Sequence, residues 1–164
     1  MSNAFTYRMP AGIPGDIVNA ENATVEPNVL LAGSTPTAFG QGVLMDAATG
    51  KIRTPAAADC ALYGINVRPY PTSGNGTDGV GTSTPPTSGM VDVLKRGYIN
   101  VLLGGATAAA RGGAVYCRIQ NSAAGKPVGG FEAAADGGNT ITVSGAYFTG
   151  PADASGNTVI AFNI

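Results

Sequence analysis

The chain has 164 residues, a formal net charge of −1, 12% charged and 44% apolar residues, and no His or Trp. Histidine is the usual proton shuttle and metal ligand near neutral pH, so its absence excludes the Ser–His and Cys–His classes of nucleophilic catalysis. A near-neutral chain with interspersed charges has no field that attracts a polyanion, and no apolar run approaches the roughly 18 residues of a membrane span, so neither nucleic acid nor membrane is expected as a partner.

In chain order, residues 1–40 carry Pro10, Pro14, Pro27 and Pro36 between short apolar runs. Proline fixes φ and removes a donor, so this stretch reads as an extended N-terminal arm outside the regular sheet. Its apolar anchors, among them Phe5, Tyr7, Met9, Ile13 and Ile17, are expected to dock on the arm's own barrel or on a neighbour. Residues 41–164 read as a β domain. Strand-like segments fall at 42–46, 61–68, 90–94, 98–103, 114–120, 140–143, 146–148 and 158–164, mostly bounded by Gly, Pro, Asn, Asp or Ser. Lys95, Arg96 and Gly97 read as the tight loop of a hairpin joining 90–94 to 98–103. Helix is scarce: residues 106–111 suit one or two turns before Gly112 and Gly113, and 55–59 a single turn. Residues 69–89 form a long loop rich in Gly, Pro, Ser and Thr. The pattern predicts an all-β protein, a compact β-barrel or β-sandwich with an extended N-terminal arm and one long loop.

Chemistry-bearing motifs are few. Gly74, Gly76 and Gly79 match G-x-G-x-x-G, but prolines flank the string where a strand and a helix are needed, so nucleotide binding is not expected. Asp78, Asp136 and Asp153 lie in turns, where such residues usually bond their own backbone, and no cluster supplies the oxygens of a calcium site. No metal or cofactor is expected. Cys60 and Cys117 are 57 positions apart, which fits neither a redox nor a zinc spacing; both read as inert core thiols. Asp92 reads as a solvent-facing strand residue beside the charged Lys95-Arg96 pair. A hydrolase built on Asp92, Glu132 or Asp136 has little support, and the chain reads as a non-enzyme.

Three strings carry a resemblance: Ala4-Phe-Thr-Tyr-Arg-Met-Pro-Ala-Gly-Ile-Pro-Gly-Asp16, Tyr63-Gly-Ile-Asn-Val-Arg-Pro-Tyr-Pro71, and Lys95-Arg-Gly-Tyr-Ile-Asn-Val101. With the closing stretch from Gly150 to Ile164, they resemble the structural cement, or capsid decoration, proteins of tailed bacteriophages. The resemblance implies a β-rich protein on the outer surface of the virion head, made in the bacterial host cytoplasm. It implies the major capsid protein as partner and a homo-oligomer, a trimer ahead of a dimer. The family offers no active site to carry over. By position, the contact candidates toward the capsid or a neighbour are Phe5, Tyr7, Arg8, Met9, Ile13 and Asp16. The alternative reading is a head fibre or surface adhesin whose 69–89 loop makes the contacts.

Overall fold

The computed structural model describes residues 12–59, 61–69 and 84–164. Their regular structure is nine strands: β1 (Thr24–Val29), β2 (Gly42–Met45), β3 (Ile52–Arg53), β4 (Gly64–Asn66), β5 (Met90–Gly104), β6 (Ala114–Arg118), β7 (Phe131–Glu132), β8 (Thr140–Phe148) and β9 (Asn157–Phe162). The helical elements among them are two single 3₁₀ turns, Ala20–Asn22 and Gly137–Asn139. The chain is all-β, as its composition predicts.

The organising element is β5, fifteen residues long. Its second half pairs antiparallel with β9 from Gly97↔Phe162 to Leu102↔Asn157. From β9 the pairing passes to β8, β6 and β7, and β7 returns to β5 in parallel at Leu103↔Phe131. Five strands thus close into a barrel, and closure removes the exposed sheet edges. The first half of β5 pairs with β1 and with β4, which continues through β2 to β3. Leu31 N–H donates to the Ile52 carbonyl at 2.7 Å, so the chain leaving β1 reaches β3 and this second sheet curls on itself.

Each half has its own core. Ile99, Val101, Val115, Phe131, Phe148 and Ile160 are fully buried inside the barrel, with Leu94 among them. Leu30, Val43, Ile52, Val91 and Val93 form the second core. Val93 and Leu94, consecutive in β5, therefore face different cores, as the alternation of a strand requires.

The predicted hairpin at Lys95–Gly97 is not formed. Lys95 instead bulges from β5: the register with β1 jumps from Val25↔Leu94 to Thr24↔Arg96. A bulge adds one residue to one strand and shifts which residues face inward beyond it. Leu94 faces the barrel core before it, Ile99 and Val101 after it. Gly97 sits at φ 139°, and a Cβ there would lie 3.2 Å from the Ala23 Cα. Charge plus glycine did mark a break in regular pairing, but the break bends one strand and does not reverse the chain.

Other differences are local. Segments 140–143 and 146–148 are one strand, with its own register shift against β6. Residues 106–111 are irregular and turning, not helical, and place Ala109 in the barrel core. Residues 55–59 form a turn closed by Asp59, whose carboxylate accepts from Ala56 N–H and from Arg53. Within the segment expected to stay outside the sheet, Thr24–Val29 forms β1. Pro27 is tolerated because β1 pairs with β5 alone and is an edge strand.

Candidate functional site

Three features of the described residues are candidates for function: a buried charge cluster, the root of the N-terminal segment, and an apolar cleft.

The cluster centres on Arg118, at the end of β6 and only 1% exposed. Its Nε donates to Glu132 Oε1 at 2.7 Å, one Nη to Asp136, and the other to the carbonyls of Asn121 at 3.0 Å and Gln120 at 3.4 Å. Lys126 Nζ meets Glu132 Oε2 at 3.0 Å. The Arg118 hydrogen bond holds the Asp136 carboxyl below its ordinary range, and the Glu132 bond raises Arg118. Both carboxylates are committed to cations, so the cluster ties β6, β7 and the chain up to β8 together and leaves no free general base. Cys117, beside it, is fully buried, and burial pushes its thiol up to about 12, the state of an inert thiol.

Of the other carboxylates singled out from sequence, Asp153 closes a turn, accepting from Ser155 and Asn157 N–H at 2.9 Å. Asp92 is exposed on β5, far along the chain from the Arg118 cluster. Among the described residues no group of three or more His, Cys, Asp or Glu could hold a metal ion. None of their helices is long and apolar enough to cross a membrane. Cys60, Asp78 and the G-x-G-x-x-G string lie outside the described residues.

The N-terminal root is built on β5. β9 occupies one edge of β5 at residues 97–102. Residues 15–18 take the other: Gly15 N–H donates to the Asn100 carbonyl at 2.8 Å, Asn100 N–H to Asp16 at 2.9 Å, and Val18 N–H to Tyr98 at 3.0 Å. Arg68 N–H donates to Gly15 at 2.9 Å, tying the root to the chain after β4 as well. Gly15, at φ 91°, is required here, because a Cβ would fall 2.6 Å from the Phe39 Cβ. Of the predicted contact residues, Ile13 is 42% exposed and Asp16 half-buried at this root. Phe5, Tyr7, Arg8 and Met9 lie outside the described residues, so the two halves of the predicted set are not seen together.

The apolar cleft, about 170 Å³, is lined by Pro27, Phe39, Val67, Pro86, Met90 and Val91. Asp92 and Pro69 complete its rim. Its mouth carries Met90, 68% exposed, beside Val29, its register partner.

Sequence reasoning missed Arg118 and this cleft. Arg118 had a readable signal, a cation inside the otherwise apolar run 114–119. The cleft had none, since its walls come from five separated segments.

The closed barrel defines the chain as a β-barrel protein, and the carboxylates of its Arg118 cluster are paired with cations. It belongs to the XM1 gp53 minor capsid protein family, whose model matches residues 1–162. A chain of the solved structure "The capsid of Myoviridae Phage XM1" is similar in fold, with a TM-score of 0.68 at 21% identity over 99% of this chain and 97% of that one. No protein of curated function matches the sequence. The protein is a structural component of a phage capsid and part of the virion.

Proposed function

We infer that this minor capsid protein is a decoration, or cement, protein: as a homo-oligomer it binds the outer surface of the head and holds major capsid subunits together. Phe5, Tyr7, Arg8, Met9, Ile13 and Asp16 make its contacts with the capsid or a neighbouring copy. The observation that carries this reading is the anchored root. The chain preceding Gly12 springs from a segment hydrogen-bonded to β5 and to Arg68, so tension applied to it reaches both halves of the fold. A protein that resists the parting of subunits needs such a fixed origin, and several contacts per oligomer give avidity without high single-site affinity. The chain would then act by contact and not by catalysis.

The test is co-purification with phage heads through a density gradient. A whole-number ratio to the major capsid protein, lost when residues 1–11 are deleted, is the expected result. A protein absent from heads, or one lacking residues 1–11 that decorates them unchanged, overturns the reading. Deletion to residue 11 is the cleaner cut, because removing 12–16 strips partners from Asn100 and Arg68.

A further inference from the structure

The apolar cleft has the size of a side chain, not of a ligand. Small-molecule pockets begin near ~300 Å³, and this one holds about 170 Å³, enough for one large side chain. Pro27, Phe39, Val67 and Pro86 wall it, and Met90, 68% exposed, stands at its mouth. Asp92 on the rim makes no side-chain hydrogen bond or ion pair among the described residues. The complementary occupant is therefore an apolar anchor accompanied by a cation.

The N-terminal root adjoins this cleft. A Cβ on Gly15 would fall 2.6 Å from the Phe39 Cβ and 3.0 Å from the Arg68 Cβ, and the Gly15 carbonyl accepts from Arg68 N–H at 2.9 Å. Phe39 is a cleft wall, and Arg68 stands between Val67 and Pro69, which line the cleft as well. Asp16 N–H donates to the Ile13 carbonyl at 3.1 Å, so the chain turns at this point. Gly12, three residues before Gly15, lies within about 11 Å of it. Tyr7 is five positions before Gly12, a reach of about 17 Å in extended chain, and Met9 is three before it, about 10 Å. Two stretches outside the described residues border the cleft, 1–11 through this root and 70–83 through Pro69. Charge separates them: residues 1–11 offer Phe5, Tyr7 and Met9 around Arg8, their one charged residue, whereas 70–83 carry Asp78 and no cation. A short tether also holds its segment at an effective concentration of about millimolar, above that of a second copy in micromolar protein.

We propose that in the free protein the cleft at Met90 holds this chain's own N-terminal segment, with Tyr7 or Met9 as anchor and Arg8 beside Asp92. The consequence for assembly rests on the decoration reading above: residues that contact the capsid are parked on their own fold until a head competes for them. Only the unparked fraction is competent to bind, so the apparent affinity for heads is reduced by that fraction.

The experiment places the photo-reactive p-benzoylphenylalanine at Tyr7 in the full chain, free of heads. Cross-links are mapped by mass spectrometry in a mixture of unlabelled and nitrogen-15-labelled protein, which separates links within a chain from links between copies. The expected product joins position 7 to residues 90–92 or to Phe39 within one chain, with no mixed-isotope pairs. Met90→Lys, at an exposed position, should abolish it with an unchanged circular dichroism spectrum. Asp92→Lys should abolish it too, while Asp92→Glu keeps it. A mixed-isotope link, one mapping elsewhere, no link, or a yield that Met90→Lys leaves unchanged overturns the proposal. So does the same probe at Tyr70 reaching the cleft where the probe at Tyr7 does not. The capsid reading fails separately: wild-type protein missing from heads sinks it whatever the cross-link shows.

Discussion

Replacing Val93 by Ala removes two methyl groups from the second core, and replacing Ile99 by Ala removes three carbons from the barrel core; both side chains are fully buried. At about 0.8 kcal/mol per buried methylene plus a cavity term, the first should cost about 2 kcal/mol and the second about 3–4 kcal/mol. For a chain of this size each kcal/mol lowers Tm by about 2–4 °C, giving losses of roughly 4–8 °C and 6–16 °C. The sharper expectation concerns cooperativity. β5 runs unbroken through both cores, so the halves should unfold together, and each substitution should move one common transition. Urea titration followed by far-UV circular dichroism and by tyrosine fluorescence reads both halves at once, since the chain has no Trp. Two separated transitions, or Val93→Ala leaving the barrel's midpoint in place, would refute the coupling and restore a hairpin-like break at Lys95–Gly97.

Three further outcomes follow from the geometry. Arg118→Ala leaves Glu132 buried with Lys126 as its remaining cation, and should cost about 3–5 kcal/mol in denaturant titration; a loss below about 1 kcal/mol would show the cluster to be incidental. Asp59 and Asp136 are held below their ordinary range by hydrogen bonds from Arg53 and Arg118. Their stabilisation is therefore complete above the unfolded value near 3.9 and is lost as pH falls through the lower folded values. Thermal melts should show a steep fall in Tm below about pH 4, shallower in Asp59→Asn, and an unchanged slope in that variant contradicts the assignment. In a Cys60→Ser background, Cys117 should react with a disulfide reagent at pH 8 only as fast as the protein unfolds; an immediate reaction would mean that its burial is wrong.

The fold was legible where short apolar runs are bounded by turn residues. The segments 61–68, 114–120 and 158–164 hold β4, β6 and, from Thr158 on, β9; of these β4 is buried on both faces and shows no core-to-solvent period. Three strands escaped. β3 and β7 have two residues each, too short for any period, and exist because their partners hold them. β1 hid behind Pro27, whose penalty an edge position cancels. The Lys95-Arg96-Gly97 signal was real but ambiguous, since a bulge and a turn both interrupt a ladder and both favour Gly. Of the site, the sequence named the N-terminal segment only through the resemblance and its apolar anchors, and Phe5, Tyr7, Arg8 and Met9 of that set lie outside the described residues. It could not point to the cleft, where Pro27, Phe39, Val67, Pro86 and Met90 meet only through long-range pairing.

The N-terminal segment also shows why low periodicity is not lack of structure. Residues 15–18 look irregular because their hydrogen-bond partners on β5 lie eighty or more positions away, at Tyr98 and Asn100, and their sequence carries no local signal of that pairing. The pairing has a mechanical consequence. Antiparallel ladder bonds stand roughly perpendicular to the strands they join, so a pull along the chain at Gly12 loads the bonds of Gly15, Asp16 and Val18 side by side, not one after another. Ile17, packed against the barrel core, must leave with them. The Arg68–Gly15 bond passes part of the load to the chain after β4, and β5 passes the rest to both cores. An arm rooted at a single residue would peel one bond at a time under the same force. This root gives way only when several bonds and a core contact fail together, which is what the proposed cement role asks of it.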